Sequence, residues 1–168
     1  MNKKIVSEKF NLSSYTTIKV GGVAEYFAEP RSIDEFSYLI KWANLHKQRC
    51  QIIGAGSNLL INNIFIKGLV ICTKKMKSLK IEPSSGIVEA EAGVMLPTLS
   101  NALAKNGLQG GEWAVGIPGT LGGAIYMNAG TGGISLAKNL ISVKVINNKT
   151  NEELEIEKKD INFEYRFS

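Results

Sequence analysis

The segment EWAVGIPGTLGGAIYMNAGTGG, residues 112–133, decides how the rest of the chain is interpreted. It contains seven glycines, and glycine lets backbone N–H groups approach a ligand and permits positive φ. Pro118 stiffens one turn of the segment. The apolar residues that follow predict a short buried helix beginning near Gly119. Amides at such a helix start, beside flexible glycines, favour an anion site suited to phosphate.

A purely structural explanation of the same glycines is a tight turn packed on a sheet. That explanation is weakened by the polar and aromatic residues of the segment, Trp113, Tyr126 and Asn128. We therefore interpret residues 112–133, called the glycine segment below, as a candidate ligand site.

A second glycine turn follows a short predicted strand at residues 51–53. Residues 54–58, Gly-Ala-Gly-Ser-Asn, are called the 54–58 turn below. Successive amides, the Ser57 hydroxyl and the Asn58 side chain fit a pyrophosphate. Position 59 is Leu, so the third glycine of G-x-G-x-x-G is missing and a dinucleotide Rossmann site is disfavoured. Alone, this turn is a weak signal.

The composition of the chain limits the classes of function that it can have. The chain has 168 residues, 20 Lys and Arg against 15 Asp and Glu, and a formal net charge of +5, which fits an anionic ligand. No aromatic residues alternate with the lysines at positions 74, 75, 77 and 80. Lys74, Lys75, Lys77 and Lys80 therefore predict a solvated edge rather than a nucleic-acid surface.

Neither a signal peptide nor a membrane span is recognisable, which predicts a cytoplasmic protein. Cys50 and Cys72 form no metal or redox motif, and we expect both to be reduced and buried.

Hydrophobic periodicity predicts an α+β fold in two lobes, about 20–75 and 76–168. A strand at 24–28 precedes a helix capped by Ser32 and Glu35, and strands follow at 51–53 and 68–72 as in a βαβ unit. Beyond them we predict a strand at 87–92, a helix from Pro97 to Gly107, a hairpin at 140–146 and 152–157, and a terminal strand at 163–168. In that terminal strand, Tyr165 and Arg166 would point to opposite faces.

Four motifs together resemble the UDP-N-acetylenolpyruvoylglucosamine reductase family. They are Tyr15-Thr16-Thr17 with Gly21-Gly22, Gly54-x-Gly56-Ser57-Asn58-Leu59-Leu60, the glycine segment from Gly116 to Gly130, and the final Tyr165-Arg166-x-Ser168. The motifs stand in the family's order and cover nearly the whole chain. Together they are specific, although each alone is not.

The resemblance implies a two-lobed FAD-binding domain of the vanillyl-alcohol-oxidase (PCMH) type over residues 1–168, with the flavin between the lobes. Because His46 lies at a predicted helix end and neither cysteine lies in a glycine loop, we expect FAD to be bound non-covalently. The implied FAD-binding residues are Gly54, Ala55, Gly56, Ser57, Asn58, Leu59, Gly116, Ile117, Pro118, Gly119, Thr120, Gly122, Gly123, Asn128, Ala129 and Gly130.

The resemblance also implies a reaction. NADPH reduces the flavin, and UDP-N-acetylglucosamine enolpyruvate is reduced to UDP-N-acetylmuramate for peptidoglycan. Arg166 matches the family's active-site arginine and Tyr165 a substrate contact; a guanidinium suits a carboxylate whose charge grows in the transition state. From the residues alone, an exposed terminal arginine is the favoured interpretation of Arg166. We expect a monomer with no metal, nucleic-acid or membrane partner.

One departure from the family is expected to matter. The family continues beyond Tyr-Arg-x-Ser into a substrate-binding domain that supplies the protonating serine and an assisting glutamate, and we expect this domain to be absent and reductase activity to be poor. The alternatives are another FAD-linked oxidoreductase on the same domain and a truncated, non-catalytic flavin-binding module.

Overall fold

The structure is a computed structural model that describes residues 5–62 and 65–168. The chain forms two compact units. One runs to Met76 and includes Asn148–Asn151, and the other consists of Lys77–Asn147 and Glu152–Ser168.

The first unit is built on a four-stranded sheet. Its strands are β1 (Val6–Asn11), β2 (Val23–Ala28), β3 (Cys50–Ile53) and β4 (Phe65–Cys72), in the order β1-β2-β4-β3. Strands β2 and β3 run parallel to β4, whereas β1 is antiparallel to β2. Helix α1 (Ile33–Leu45) connects β2 to β3, so the predicted βαβ unit is confirmed.

Local signals set the ends of α1. The Ser32 hydroxyl accepts a hydrogen bond from the Glu35 amide at 3.2 Å, and the Glu35 carboxylate accepts one from the Arg31 amide at 2.7 Å. These bonds satisfy amides that have no partner inside the helix. Leu39, Ile40 and Ala43 are buried. The core of the sheet consists of Leu12, Ala24, Phe27, Ile53, Val70 and Cys72.

The second unit contains short hairpins and two helices. Its elements are β5 (Leu79–Glu82), β6 (Ile87–Ala90), α2 (Leu96–Lys105), α3 (Leu121–Tyr126), β7 (Gly130–Thr131), β8 (Ile134–Ser135), β9 (Ser142–Ile146) and β10 (Glu153–Glu157). The pairs β5–β6, β7–β8 and β9–β10 are each antiparallel. Leu96, Ala114, Ala124 and Leu136 form a buried cluster.

Five 3₁₀ turns complete the described elements, at Ser13–Tyr15, Thr73–Lys75, Glu112–Ala114, Leu136–Lys138 and Lys158–Asp160. Within residues 5–62 and 65–168, the helices are all too short or too polar to cross a membrane.

The structure differs from the predictions at four places, which are two unpredicted strands, one half-buried cysteine and the terminal strand. Strand β1 was not predicted, because Val6 is its only buried residue and no alternation marks it. Strand β5 includes Lys80 and was likewise missed. Cys50 is only half-buried, although Cys72 is buried as expected.

The fourth difference is at residues 163–168, where the prediction of a terminal strand was wrong. Glu164 and Phe167 pair through their backbones, and Tyr165 and Arg166 form the turn that connects them. Arg166 has φ +60°, and this left-handed conformation is incompatible with an extended strand.

Candidate functional site

The 54–58 turn begins directly after β3. Gly56 is buried and has φ +67°, and a Cβ placed on it would collide with the Tyr15 carbonyl oxygen and lie 2.9 Å from the Thr16 Cα. Gly56 thus has the left-handed backbone conformation that favours glycine. The chain's own backbone dictates this glycine, because two loops pass each other with no room for a side chain.

The amides of the turn are the groups that could bind an anion. Those of Ala55, Gly56 and Asn58 have no hydrogen-bond acceptor in the described part of the chain. Asn58 and Leu59 are exposed. Unengaged backbone N–H groups in a glycine turn are suited to phosphate oxygens. The FAD role of residues 54–59 fits this geometry and stays a prediction.

A charged and aromatic cluster lies beside this turn. The Tyr15 ring packs edge-on against Phe10 and Phe27, with ring centroids 5.5 and 4.8 Å apart. Its hydroxyl interacts with the Glu29 carboxylate, which lies 2.6 Å from the Lys75 ammonium. Lys74 stands 5.9 Å from the Tyr15 ring centroid. Lys74 and Lys75 are therefore not the simple solvated edge that was predicted.

Burial and the Glu29 hydrogen bond raise the pKa of Tyr15 from 10.0 to about 12. A raised pKa favours the neutral phenol in the folded state, so its stabilisation is complete below pH 10 and is lost as the pH rises from 10 towards about 12. We expect Tyr15→Phe to flatten this alkaline loss of unfolding free energy. Tyr38→Phe, at an exposed tyrosine, is the control and should leave the curve unchanged. Denaturant unfolding at successive pH values measures both, and parallel curves for wild type and Tyr15→Phe would contradict the expectation.

In the second unit, the glycine segment includes α3, which begins after Thr120 as predicted. The amides of Leu121 and Gly122 donate to the carbonyls of Val94 and Ala92 at 2.8 and 2.9 Å. The Gly123 amide donates to the Thr120 hydroxyl at 3.4 Å. The prediction of free amides at this helix start is therefore wrong for these three groups, because a neighbouring loop and the helix cap already satisfy them.

The other glycines of the segment differ in whether the structure requires glycine at their positions. Gly119 is buried with φ +141°, a conformation that favours glycine. A Cβ on Gly122 would lie 2.9 Å from that of Ala92, so this glycine allows close packing. Gly116 is exposed, is outside the left-handed region, and has nothing within 4 Å of a Cβ position. Neither packing nor backbone conformation requires glycine at position 116.

The segment still offers unengaged amides upstream of α3. Those of Gly116, Gly119 and Thr120 have no acceptor among residues 5–62 and 65–168. Ile117, by contrast, donates its amide to Ala114 at 3.2 Å. An anion could thus bind before the helix rather than at its first turn.

Asn128 connects three parts of the second unit. It is 9% exposed and has φ +40°. Its side-chain amide nitrogen donates to the Glu164 carbonyl at 2.9 Å, and its side-chain oxygen accepts from the Ala137 amide at 3.4 Å. Asn128 was predicted to contact FAD, and that stays a prediction; both of its side-chain groups already bind the chain.

Residues 164–167, called the C-terminal hairpin below, place Tyr165 and Arg166 side by side at its tip. The amides and carbonyls of Glu164 and Phe167 bond each other at 3.0 and 3.3 Å. The Arg166 guanidinium donates to the Gly130 carbonyl at 3.2 Å and lies 5.2 Å from the Tyr165 ring centroid. Tyr165 is 89% exposed. The two predicted substrate residues therefore share one tip instead of opposite strand faces.

Replacing Asn128 should loosen this hairpin. We expect Asn128→Ala to lower the free energy of unfolding by about 2 kcal/mol, because the buried Asn128 side chain contributes two hydrogen bonds that are lost. Asn128→Gly, which tolerates positive φ, separates backbone strain from the lost bonds. Asn106→Ala is the matched control, since the exposed Asn106 also donates to a carbonyl, at 2.8 Å. Unchanged amide hydrogen exchange at Glu164 and Phe167 in Asn128→Ala would contradict this role.

Sequence reasoning missed the cluster around the 54–58 turn. Glu29 directly follows β2, Gly54 follows β3 and Thr73 follows β4. The carboxyl ends of parallel strands meet at one sheet edge, where open α/β sheets bind ligands. That rule, applied to the predicted βαβ unit, could have found these residues. In the part of the chain that the structure describes, no three His, Cys, Asp or Glu side chains group as metal ligands.

Comparison with known proteins identifies the family. The profile of a family described as "FAD binding domain" matches residues 24–155. The chain belongs to the FAD binding domain family. The match includes both the 54–58 turn and the glycine segment.

Relatives extend the match over nearly the whole chain. The UDP-N-acetylenolpyruvoylglucosamine reductase of Prochlorococcus marinus subspecies pastoris is 73% identical over 161 residues, which cover 96% of this chain and 54% of that protein. A protein of the same name from another Prochlorococcus marinus strain is 46% identical over 100% of this chain and 57% of its own length. The resemblance drawn from the motifs is confirmed. The chain spans about half the length of these curated relatives.

Solved structures support the same fold. The crystal structure of UDP-N-acetylenolpyruvylglucosamine reductase (MurB) from Thermus caldophilus matches with a TM-score of 0.76 and 28% identity, over 96% of this chain and 55% of that one. The 6-hydroxy-D-nicotine oxidase of Arthrobacter nicotinovorans matches with a TM-score of 0.67 at 15% identity, over 92% of this chain and 36% of its own. The α+β FAD-binding fold of the vanillyl-alcohol-oxidase type is thereby confirmed.

Proposed function

We propose that this chain binds one FAD non-covalently and serves in the NADPH-dependent reduction of UDP-N-acetylglucosamine enolpyruvate to UDP-N-acetylmuramate. The observation that carries the proposal is a 54–58 turn with unengaged amides in a member of the FAD binding domain family. The names of the relatives supply the substrate class. The proposal includes a cytoplasmic setting, a monomer, and a role in peptidoglycan synthesis.

The residues fit FAD on physical grounds. A diphosphate needs several hydrogen-bond donors without a side chain in the way, and the amides of Ala55, Gly56 and Asn58 meet that need. Gly116 supports a second contact, because its lack of a side chain serves no packing purpose within the chain. Bound FAD would supply hydride transfer. The remaining proposed FAD-binding residues are Gly54, Ser57, Leu59, Ile117, Pro118, Gly119, Thr120, Gly122, Gly123, Asn128, Ala129 and Gly130.

Arg166 and Tyr165 are proposed to act on the substrate. Reduction of an enolpyruvyl group places negative charge on its carboxylate side as the transition state forms. The Arg166 guanidinium can stabilise that charge by paired hydrogen bonds. The contact with Gly130 and the neighbouring Tyr165 ring restrict its rotamers, which reduces the entropy lost on binding.

A second candidate is a flavin-binding unit without reductase activity of its own. The share of the relatives' length that the chain covers, about half, favours this candidate. The two candidates agree on FAD and differ on the substrate step.

The test begins with the visible spectrum of the purified 168-residue polypeptide. We expect flavin bands, or uptake of FAD on titration, and release of the flavin into the supernatant on acid precipitation. A colourless protein that takes up no FAD would refute the proposal, and a yellow pellet would refute non-covalent binding.

The substrate step is tested anaerobically after FAD loading. NADPH should bleach the flavin, and UDP-N-acetylglucosamine enolpyruvate should restore the colour, although slowly. General acid catalysis is worth about 10²–10⁴-fold, and we expect a deficit of that order relative to a complete relative such as the Prochlorococcus reductase. No reoxidation above the rate without substrate would favour the second candidate.

A further inference from the structure

Three carbonyl groups in and just before the 54–58 turn, those of Ile53, Gly54 and Gly56, each accept a hydrogen bond from another part of the first unit. The Ile53 carbonyl accepts from the Thr73 hydroxyl at 3.3 Å. The Gly54 carbonyl accepts from the Cys72 thiol at 3.5 Å. These two donors are consecutive residues at the carboxyl end of β4, beside the end of β3.

The donor to the third carbonyl comes from a loop that precedes the turn in the sequence. The Gly56 carbonyl accepts a hydrogen bond from the Thr17 amide at 3.3 Å. The loop that contains Thr17 is itself fixed, because the Tyr15 side chain is packed against Phe10 and Phe27 and the Thr16 hydroxyl donates a hydrogen bond to the Val20 carbonyl at 2.7 Å. The Tyr15–Thr17 backbone also lies against the Gly56 Cα, where a Cβ would collide. The loop can therefore act as a rigid support.

Holding the carbonyls has a consequence for the amides. A peptide unit is planar, so fixing the direction of its C=O also fixes the direction of the next residue's N–H. The Ile53 and Gly54 carbonyls belong to the same peptide units as the amides of Gly54 and Ala55, and the Thr17 amide fixes the Gly56 carbonyl two residues further on. Donors on the protein side of each carbonyl orient the linked N–H groups away from the protein. An anion then binds without the entropic cost of ordering the turn.

We propose that Thr73, together with Cys72 and Thr17, is a positioning residue that preorganises the 54–58 turn for the diphosphate of FAD. The inference rests on the proposed function, because it assumes that FAD binds at this turn. Thr73 is 4% exposed and Cys72 is fully buried, so neither needs to touch the ligand. Burial also raises the pKa of the Cys72 thiol, which keeps it protonated as a donor.

The decisive variant is Thr73→Val, which keeps the shape and removes the hydroxyl. Ser37→Ala is its control in the same unit. The Ser37 hydroxyl lies on α1 and accepts a hydrogen bond from the Asn151 side-chain nitrogen at 2.8 Å. Both variants lose one hydroxyl hydrogen bond within the first unit. Only Thr73→Val should alter the turn.

We expect Thr73→Val to weaken FAD binding about tenfold, which corresponds to one lost hydrogen bond, and Ser37→Ala to change it less than about twofold. Thr73→Ser, which restores the hydroxyl, should recover the wild-type affinity. ADP carries the diphosphate without the flavin, so it should compete with FAD in the wild type, and Thr73→Val should weaken ADP by the same factor. Calorimetric or fluorescence titration measures each dissociation constant, and thermal unfolding of the ligand-free proteins gives their stability.

The outcomes separate the two claims. A wild type that binds no FAD would overturn the proposed function. A wild type that binds FAD, with equal losses of FAD affinity in Thr73→Val and Ser37→Ala or no competition by ADP, would overturn the positioning role alone. If Thr73→Val does not fold, Cys72→Ala provides the same test with the weaker thiol donor and should raise the FAD dissociation constant about threefold; an unchanged constant would overturn the inference.

Discussion

Gly56→Ala should destabilise the first unit by about 2–5 kcal/mol and abolish FAD binding at micromolar concentration. A left-handed conformation costs a non-glycine residue about 1–2 kcal/mol. The methyl group would also collide with the Tyr15 carbonyl oxygen, and overpacking adds about 1–3 kcal/mol. The nearest atoms belong to the Tyr15–Thr16 backbone, so no flexible side chain could move aside to make room.

Gly107→Ala is the control for Gly56→Ala. Gly107 has nearly the same conformation, φ +70°, but nothing lies within 4 Å of a Cβ position there. It should therefore show only the conformational cost and leave FAD affinity unchanged. Denaturant unfolding and FAD titration measure both variants. Equal destabilisation by the two substitutions would show that the close approach of Tyr15 is unimportant.

Arg166→Ala should lower the rate at which the enolpyruvyl substrate reoxidises the reduced flavin by about 10²–10³-fold, with little change in FAD affinity. The basis is the loss of an electrostatic contact to charge that develops in the transition state, for which removal of one donor typically costs this much. Arg166→Lys should recover only part of the rate, because an ammonium cannot form the paired hydrogen bonds of a guanidinium.

Lys138→Ala controls for the loss of an exposed positive charge in the same unit. Its rate should equal that of the wild type. Stopped-flow absorbance at the flavin band, under anaerobic conditions and at saturating substrate, gives all four rates. If Arg166→Ala and Lys138→Ala are indistinguishable, the C-terminal hairpin has no part in the substrate step.

Local signals were sufficient where the chemistry of a short segment decides its structure. Ser32 and Glu35 fixed the start of α1, Thr120 the start of α3, and Gly107, with φ +70°, followed the end of α2. Alternation found β9 and β10. It failed for β1, where a polar edge strand buries only Val6.

The sequence by itself determined the α+β class, the βαβ unit, and the two glycine-rich segments that mark an FAD-binding domain, since periodicity, caps and glycine motifs are all local. Only the tertiary structure decided which glycines serve the chain itself: Gly56 is required by the Tyr15 backbone, whereas nothing in the described chain requires Gly116. It also showed that the first amides of α3 are already bonded, and that Arg166 shares a turn with Tyr165. These facts depend on partners distant in sequence, such as Tyr15 for Gly56 or Ala92 for Gly122, and a local pattern carries no information about which distant backbone will fill the adjacent space.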